Sequence, residues 1–136
     1  WIAFARPAQH QVVLQSHYPP VSVIVCAHDE EENLKALVPL LLQQDYPDFE
    51  VIVVNDRSND ATYDWLLQAT NMESRLRMVH VEKTPPAMNP KKYALTLGVK
   101  AAKHEWLLLT DADCRPLENS WIKSFSNAFT AETVFV

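Results

Sequence analysis

One apolar run, Val21-Ser-Val-Ile-Val-Cys-Ala27, is the first of four short runs that recur at nearly equal spacing along the chain. The others are Phe49–Val54, Leu76–Val81 and Glu105–Thr110, so that successive runs begin 27 to 29 residues apart. Short runs rich in Val and Ile are typical of strands buried on both faces of a parallel sheet. A spacing of about 28 residues leaves room for a strand and a crossover helix before the next strand begins.

Amphipathic helices are predicted between these runs. The segment from Glu30 to Gln44 has acidic residues at its start and Tyr46-Pro47 after its end, as expected at helix boundaries. Its apolar residues form one helical stripe: Leu34, Leu37, Val38, Leu41 and Leu42. Strands and helices therefore alternate, which predicts an α/β fold, a three-layer sandwich with a mainly parallel sheet.

Three further helices are predicted from their boundaries and apolar spacing. Ser58 or Asp60 can cap a second helix, and Pro90 suits the first position of a third. A fourth helical stripe follows the last run: Trp121, Ile122, Phe125, Ala128 and Phe129.

The composition excludes two common ways of binding phosphate. The 136 residues include one glycine, Gly98, whereas the dinucleotide-binding fingerprint and the phosphate loop each need several. We expect Gly98 to ease the packing of its helix against the sheet. A net charge of −5 argues against binding to nucleic acid and favours binding of cations. Cys26 and Cys114 have no partners at zinc-site spacing and are expected to be reduced thiols.

The two ends of the sequence suggest a piece of a longer protein. Residues 1–19 are interpreted as an N-terminal flank, and the strand-like run Thr133–Val136 closes the chain. Trp1–Phe4 followed by Arg6 is compatible with the cytoplasmic end of a transmembrane helix, and equally with an ordinary trimmed terminus. No window of the sequence approaches the roughly 18 to 20 apolar residues that span a bilayer.

Acidic residues follow three of the four runs, in clusters over residues 28–33, 55–60 and 111–116. Each cluster alone is explained by turns and helix caps, in which Asp and Asn are common. Parallel strands end at one edge of a sheet, however, and open α/β sheets bind ligands there. Asp111 and Asp113 directly follow a buried strand, and such carboxylates suit Mg²⁺ or Mn²⁺ shared with phosphate oxygens.

Three ordered motifs, Pro20–Leu34, Gln44–Thr62 and Leu107–Pro116, resemble family-2 glycosyltransferases with the GT-A fold. The resemblance implies that residues 20–136 are the nucleotide-sugar-binding part of a GT-A domain, its Rossmann-like half, incomplete at the C-terminus. It further implies transfer of a sugar from a nucleotide-diphospho-sugar, usually a UDP-sugar, to an acceptor hydroxyl with inversion.

The same resemblance assigns residues to the donor. Asp56 would contact the nucleotide base, and Asp111 the ribose side. Asp113, together with Asp111, would hold the Mg²⁺ or Mn²⁺ ion that bridges the diphosphate. Asp29 and Glu30 are candidates for lining the uridine pocket, although acidic residues at that position also suit a helix N-terminus.

Lys91 begins a segment, Lys91–Gly98, that resembles a family segment near the nucleotide or the diphosphate. Pro90 and Thr96 depart from the family pattern, which normally has Gly and Asn at those positions. Lys91 is therefore a nucleotide-binding candidate, with a solvent-exposed helix start as the alternative interpretation.

The resemblance places the catalytic base downstream of Val136, so no catalytic residue is assigned in this sequence and the fragment is expected to be inactive alone. The acceptor is expected to be a glycan or a lipid-linked molecule, as in synthesis of cell-envelope polysaccharides. The protein is expected at the cytoplasmic face of the inner membrane, held there by segments outside this sequence.

Three alternatives remain open from the residues alone. A phosphatase of the haloacid-dehalogenase type also has an Asp-x-Asp pair after a strand, but normally after the first strand rather than the fourth. A phosphoacceptor receiver module would carry its acceptor Asp after the third strand, whereas Asp56 follows the second. A domain that binds nucleotide without turnover is the third alternative.

Overall fold

The computed structural model of the chain describes residues 2–5, 18–126 and 129. The strands are β1 (Ile2–Ala5), β2 (Val21–Ala27), β3 (Phe49–Asp56), β4 (Leu76–Val81) and β5 (Trp106–Asp111). The helices are α1 (Glu31–Leu42), α2 (Thr62–Met72), α3 (Pro90–Ala101) and α4 (Trp121–Ser124).

The strands form one sheet in the order β1-β5-β2-β3-β4. Strands β2 to β5 pair in parallel, and β1 pairs with β5 in the antiparallel direction. The predicted α/β fold with a mainly parallel sheet is confirmed. β3 and β5 extend to Asp56 and Asp111, slightly beyond the predicted runs, so these two acids are the last residues of their strands.

The structure of the N-terminal residues contradicts one of the two interpretations given for them above. Ile2–Ala5 form an edge strand paired with Trp106–Leu109, so the interpretation of this segment as the end of a helix is wrong. The backbone groups of β5 would otherwise lack partners on that side, and β1 supplies them. Arg6, like Ala128 and Thr133–Val136, lies outside the described residues. The boundary at residue 20 stays a prediction.

The helices cover both faces of the sheet and complete the three layers. Helix α1 buries four residues of its predicted stripe and ends at Leu42, slightly before the predicted end. One core joins the sheet to α1, α2 and α4, and a second joins it to α3. None of the helices in the described part of the chain is long and apolar enough to cross a membrane.

Helix α2 begins at Thr62, and its N-cap residue is Ala61, so neither Ser58 nor Asp60 occupies the predicted N-cap position. The Asp60 carboxylate accepts a hydrogen bond from the Thr62 N–H at 2.9 Å. Ser58 instead accepts from the backbone N–H of Asp29, so it braces a neighbouring loop and does not cap the helix. Asp60 thus supplies the acceptor that the first turn of α2 needs.

Helix α3 begins at Pro90, as predicted, and the Asn89 side chain caps it by accepting from the Lys92 N–H. Gly98 lies buried on the face of α3 that meets the sheet. A Cβ atom at this position would lie 2.8 Å from Cγ2 of both Ile24 and Val54. The prediction that Gly98 serves helix packing is therefore confirmed, and it fixes how closely α3 approaches β2 and β3.

A buried carboxylate joins the strands near their amino ends. Glu50 on β3 accepts from the Ser22 hydroxyl at 2.7 Å, from the Lys103 N–H at 2.7 Å and from the Arg77 guanidinium at 2.9 Å. Burial alone would raise the pKa of Glu50, but these hydrogen bonds and the charge of Arg77 outweigh it and lower the pKa below 4.5. Glu50 thereby links β2, β3, β4 and the connection from α3 to β5.

Replacing Gly98 with Ala should destabilise the protein by about 1–3 kcal/mol, because the added methyl group overpacks the contact with Ile24 and Val54. On an exposed helix face the same change would stabilise by about 1 kcal/mol, so the sign of the effect is informative. Urea unfolding measures it, with Lys100→Ala on the exposed side of α3 as the control. A more stable Gly98→Ala protein would contradict the close approach of α3 to the sheet.

Replacing Glu50 with Gln should cost about 1–3 kcal/mol at pH 7, because the buried carboxylate that accepts from three donors is lost and the half-buried Arg77 loses its charge partner. The folded-state pKa of Glu50 is lowered, so its contribution to stability is complete above pH 4.5 and is lost as the pH falls through the folded-state value. The difference in stability between wild type and Glu50→Gln should therefore shrink on acidification. Urea titrations from pH 7 to pH 3 measure this difference, and Glu82→Gln at an exposed position is the control.

Candidate functional site

Side-chain alternation brings the strand-end acids to one face of the sheet. Cys26 on β2 is paired with Val54 on β3 and with Asp111 on β5. The α3 face carries Ile24, Val54 and Leu107, so the alternation places Cys26, Asp56 and Asp111 on this face too. The acids therefore lie where α3 begins.

A cavity of about 290 Å³ opens at this edge of the sheet, between the strand ends and the first turn of α3. Its lining includes five of the six residues predicted for nucleotide or metal binding: Glu30, Asp56, Lys91, Asp111 and Asp113. The remaining lining residues are Cys26, Ala27, His28, Ala94 and Ala112. A second, more apolar cavity of about 220 Å³ shares Cys26, Lys91 and Asp111 with the first.

Asp111 and Asp113 carry the features expected of a divalent-cation site. Both are exposed, and one ligand atom from each, together with the Cys114 sulfur, lies within 4.8 Å of the others. The Cys114 N–H donates to the Asp111 carbonyl, which closes the turn on which both acids lie. Carboxylate oxygens at an open, solvent-accessible turn fit Mg²⁺ or Mn²⁺, since both ions also keep water or phosphate oxygens as ligands.

Lys91 supplies positive charge at the same edge. Its Nζ lies 3.5 Å from Asp111 Oδ1, and the two side chains are 77% and 61% exposed. An ion pair this exposed contributes little to stability. The ammonium group of Lys91 is therefore available to an anionic ligand that enters the cavity.

Asp56 is held by its neighbour in the sequence. The Arg57 Nε donates to Asp56 Oδ1 at 2.9 Å, and Nη2 donates to Oδ2 at 3.4 Å. The hydrogen bonds and the charge of Asp56 raise the pKa of the guanidinium. Arg57 has a φ of 53°, in the left-handed region, and its N–H donates to the Val81 carbonyl. A mostly buried carboxylate with a fixed orientation is thus presented at one end of the cavity.

Glu30 also lines the cavity. It is the N-cap residue of α1, but its side chain makes no capping hydrogen bond. Its carboxylate instead accepts from the Asn33 Nδ2 at 2.6 Å. Glu30 is therefore directed by a side chain one turn further along α1.

Asp29 is the one predicted nucleotide-binding residue that the structure does not bring into the cavity. Its carboxylate accepts from the backbone N–H groups of Asn59 at 2.5 Å and Asp60 at 3.2 Å. Its φ of 52° is unusual for a non-glycine residue, although Asp tolerates it better than most. Asp29 therefore joins the loop after β2 to the loop after β3.

Two lining residues carry groups that were not predicted as site residues. Burial raises the pKa of the Cys26 thiol to about 11. This thiol is therefore protonated at neutral pH and is an unreactive part of the cavity lining. The His28 Nδ1 lies 2.6 Å from the Asp56 carbonyl, so the ring tethers its loop to the end of β3.

A family model for glycosyl transferase family 2 matches residues 22–136. The chain belongs to glycosyl transferase family 2. The probable glycosyltransferase YdaM of Bacillus subtilis is 36% identical over 102 residues, which are 72% of this chain and 24% of that protein. The chain thus spans about a quarter of the length of this relative.

Two solved structures resemble this family 2 chain in fold. The mannosyltransferase PcManGT from Pyrobaculum calidifontis, in complex with GDP-Man and Mn²⁺, aligns with a TM-score of 0.66 and 27% identity, over 82% of this chain and 31% of that one. S. aureus TarS 1-349, in complex with UDP-GlcNAc, aligns with a TM-score of 0.62 and 29% identity, over 79% and 30%. The GT-A fold expected from the sequence motifs is confirmed, and the phosphatase and receiver interpretations are set aside.

Sequence reasoning missed the residues of this family 2 chain that hold the site residues in place. Arg57 lies within the motif Gln44–Thr62, and an Arg directly after a strand-end Asp is a readable signal for a local ion pair. Asn33 and Arg115 meet across the fold at 2.8 Å, and no spacing along the chain could have indicated this contact.

Replacing Asp29 distinguishes a loop brace from a nucleotide ligand. Asp29→Ala should lower the free energy of unfolding by about 2 kcal/mol, because two N–H groups lose their acceptor and Ala disfavours a φ of 52°. Asp29→Asn keeps an oxygen acceptor and tolerates this φ, so it should remain within about 1 kcal/mol of wild type. Urea unfolding checks both variants.

The same Asp29→Asn protein should bind UDP with wild-type affinity by calorimetry, whereas Asp56→Asn alters a residue that lines the cavity and should weaken binding. A tenfold loss of UDP affinity in Asp29→Asn would contradict its assignment as a brace.

Proposed function

We propose that this chain is the donor-binding part of a glycosyltransferase that transfers a sugar from a nucleotide-diphospho-sugar to an acceptor hydroxyl with inversion. The donor we propose is a UDP-sugar, and the cofactor is Mg²⁺ or Mn²⁺. Support comes from family membership and from two structural neighbours whose complexes contain GDP-Man with Mn²⁺ and UDP-GlcNAc.

The charge balance of the cavity carries this proposal. Of the described residues that line it, four have carboxylates and one, Lys91, has an amine. A nucleoside diphosphate is itself an anion and would be repelled by such a lining. A divalent cation on Asp111 and Asp113 converts that repulsion into attraction, because carboxylate and phosphate oxygens are both ligands that it prefers.

The family resemblance and the lining of the cavity support the roles proposed for the individual residues. Asp113, with Asp111, would hold the metal ion, and Lys91 would face the diphosphate. A bound Mg²⁺ or Mn²⁺ would act as a Lewis acid that stabilises the negative charge growing on the departing nucleotide diphosphate. Each of these groups therefore binds the donor more tightly as its bond to the sugar breaks.

The nucleoside would occupy the other end of the cavity. Asp56, oriented by Arg57, offers carboxylate oxygens to an imide N–H such as the one in uracil. Glu30 lines the same end, and Asp111 would approach the ribose side. Recognition of the base would thus depend on Asp56, and affinity for the diphosphate on the metal ion and Lys91.

Residues 1–136 would supply donor binding and not the catalytic base, which the family resemblance places further along the chain. A glycan or lipid-linked acceptor, a role in cell-envelope polysaccharides and a place at the cytoplasmic face of the inner membrane stay predictions.

Asp113→Asn tests the metal site that this function requires. Binding of UDP in the presence of Mn²⁺ should weaken by at least about tenfold, since even residues behind a metal ligand change affinity by that much. Without Mn²⁺, wild type and variant should bind UDP equally weakly. Isothermal titration calorimetry with and without Mn²⁺ measures both quantities.

Asp64→Asn, on the exposed surface of α2, removes the same charge away from the cavity and should leave binding unchanged. Wild-type UDP binding that is insensitive to Mn²⁺ and to Asp113→Asn would overturn the proposal.

A further inference from the structure

A chain of hydrogen bonds joins the acidic turn after β5 to the start of α1. The Arg115 Nη1 donates to the carbonyls of Ala112 at 2.8 Å and Cys114 at 2.7 Å, and its Nη2 donates to Asn33 Oδ1 at 2.8 Å. Asn33 Nδ2 in turn donates to Glu30 Oε2 at 2.6 Å. The amide of Asn33 can satisfy both neighbours in one orientation only, with Oδ1 towards Arg115 and Nδ2 towards Glu30.

The two carbonyls that Arg115 binds lie on either side of Asp113. The guanidinium therefore holds the peptide group that precedes Asp113 and the peptide group that follows Cys114, and so fixes the turn on which Asp113 lies. Arg115 itself does not line the cavity among the described residues, whereas Ala112 and Asp113 do. Its position is that of a support behind the turn, reached from α1 through Asn33.

At its other end the chain reaches Glu30, which the proposed function assigns to the nucleoside. Glu30 lines this cavity, and its carboxylate is held by Asn33, which is held by Arg115. The planar fork of an arginine can bind two carbonyls and an amide oxygen at once, which a lysine ammonium cannot do with the same fixed geometry. One side chain thus sets the positions of two walls of the cavity.

We propose that Arg115 is a positioning residue that holds Asp113 in place for the cation and, through Asn33, couples the metal end of the cavity to Glu30 at the nucleoside end. This inference rests on the proposed function, because it assumes that the cation and nucleotide occupy this cavity. Arg115 touches neither ligand and acts through the residues that do.

The direction in which Mn²⁺ affinity changes when Arg115 is replaced distinguishes a positioning role from a purely electrostatic effect of its charge. Arg115 carries a positive charge near the cation site, so removing it should tighten Mn²⁺ binding if charge were its only influence. If Arg115 positions Asp113, its removal should weaken Mn²⁺ binding instead, by about tenfold as for other residues that orient metal ligands. The two explanations therefore predict opposite changes.

The experiment measures the Mn²⁺ dissociation constant by electron paramagnetic resonance of free Mn²⁺, without any sugar donor. Arg115→Met should weaken Mn²⁺ binding by about tenfold. Asn33→Ala should weaken it less, because it removes the contact that anchors Arg115 to α1 and not the contacts to the turn, and the double variant should be no weaker than Arg115→Met alone. Arg115→Lys should restore part of the affinity. Asn33→Ala also controls for a folding defect in Arg115→Met, since it leaves Arg115 and both of its carbonyl contacts in place.

Arg75→Met is the matched control. Arg75 also donates to a carbonyl at a helix end, that of Leu42, and lies away from the residues of the cavity. The Arg75→Met protein should unfold at a lower temperature than wild type and should bind Mn²⁺ with wild-type affinity.

The outcomes distinguish the two proposals. Wild-type or tighter Mn²⁺ binding by Arg115→Met, in a protein whose Mn²⁺ binding still depends on Asp113, would overturn the positioning role and leave the proposed function standing. A wild-type protein that binds neither Mn²⁺ nor UDP would overturn both.

Discussion

One buried carboxylate reinforces the parallel register of the sheet. Glu50 accepts from groups on β2, on β4 and on the connection between α3 and β5, so it ties the strands together near their amino ends. A slip of one residue would break these bonds and turn every side chain of a strand to the other face. Asp56 and Asp111 would then point away from α3, and the cavity at the carboxyl ends would lose its acids.

Carboxylates at the two ends of the sheet have contrasting surroundings. Glu50 has a full set of hydrogen-bond donors, and the charge of Arg77 offsets the free-energy cost of burying its carboxylate. Both features are expected of a residue that stabilises the fold. Asp111 and Asp113 are exposed on a turn, and the ion pair of Asp111 with Lys91, at 3.5 Å, is exposed on both sides. Exposed acids of this kind contribute little to the stability of the fold, and their carboxylate oxygens are open to the cation that we propose.

Much of the fold could be predicted because its signals are local. The recurring apolar runs gave the strands, the stripe beginning at Leu34 gave α1, and the isolated Gly98 indicated a close helix contact. The strand at Ile2–Ala5 could not be predicted, because it is defined by its pairing with β5 and carries a short, ambiguous pattern. An antiparallel edge strand has no signature of its own in so few residues.

The candidate site, like the fold, could be predicted in part from the sequence. Acids at strand ends fall at one edge by topology, so Asp56, Asp111 and Asp113 could be placed together before the structure was known. Asp29 could not be told apart from them, since its role depends on two backbone N–H groups contributed by another loop. The contact of Asn33 with Arg115 was equally invisible, because 82 positions separate the two residues in the chain.

The contact beneath Gly98 has an evolutionary consequence. The missing side chain at this position is matched by the γ-methyl groups of Ile24 and Val54, so the three positions share one small volume. A larger residue at position 98 requires a smaller residue at its contact position on β2 or β3. Otherwise α3 must lie further from the sheet, and Lys91 is displaced with it. Positions 24, 54 and 98 should consequently vary together among homologous sequences.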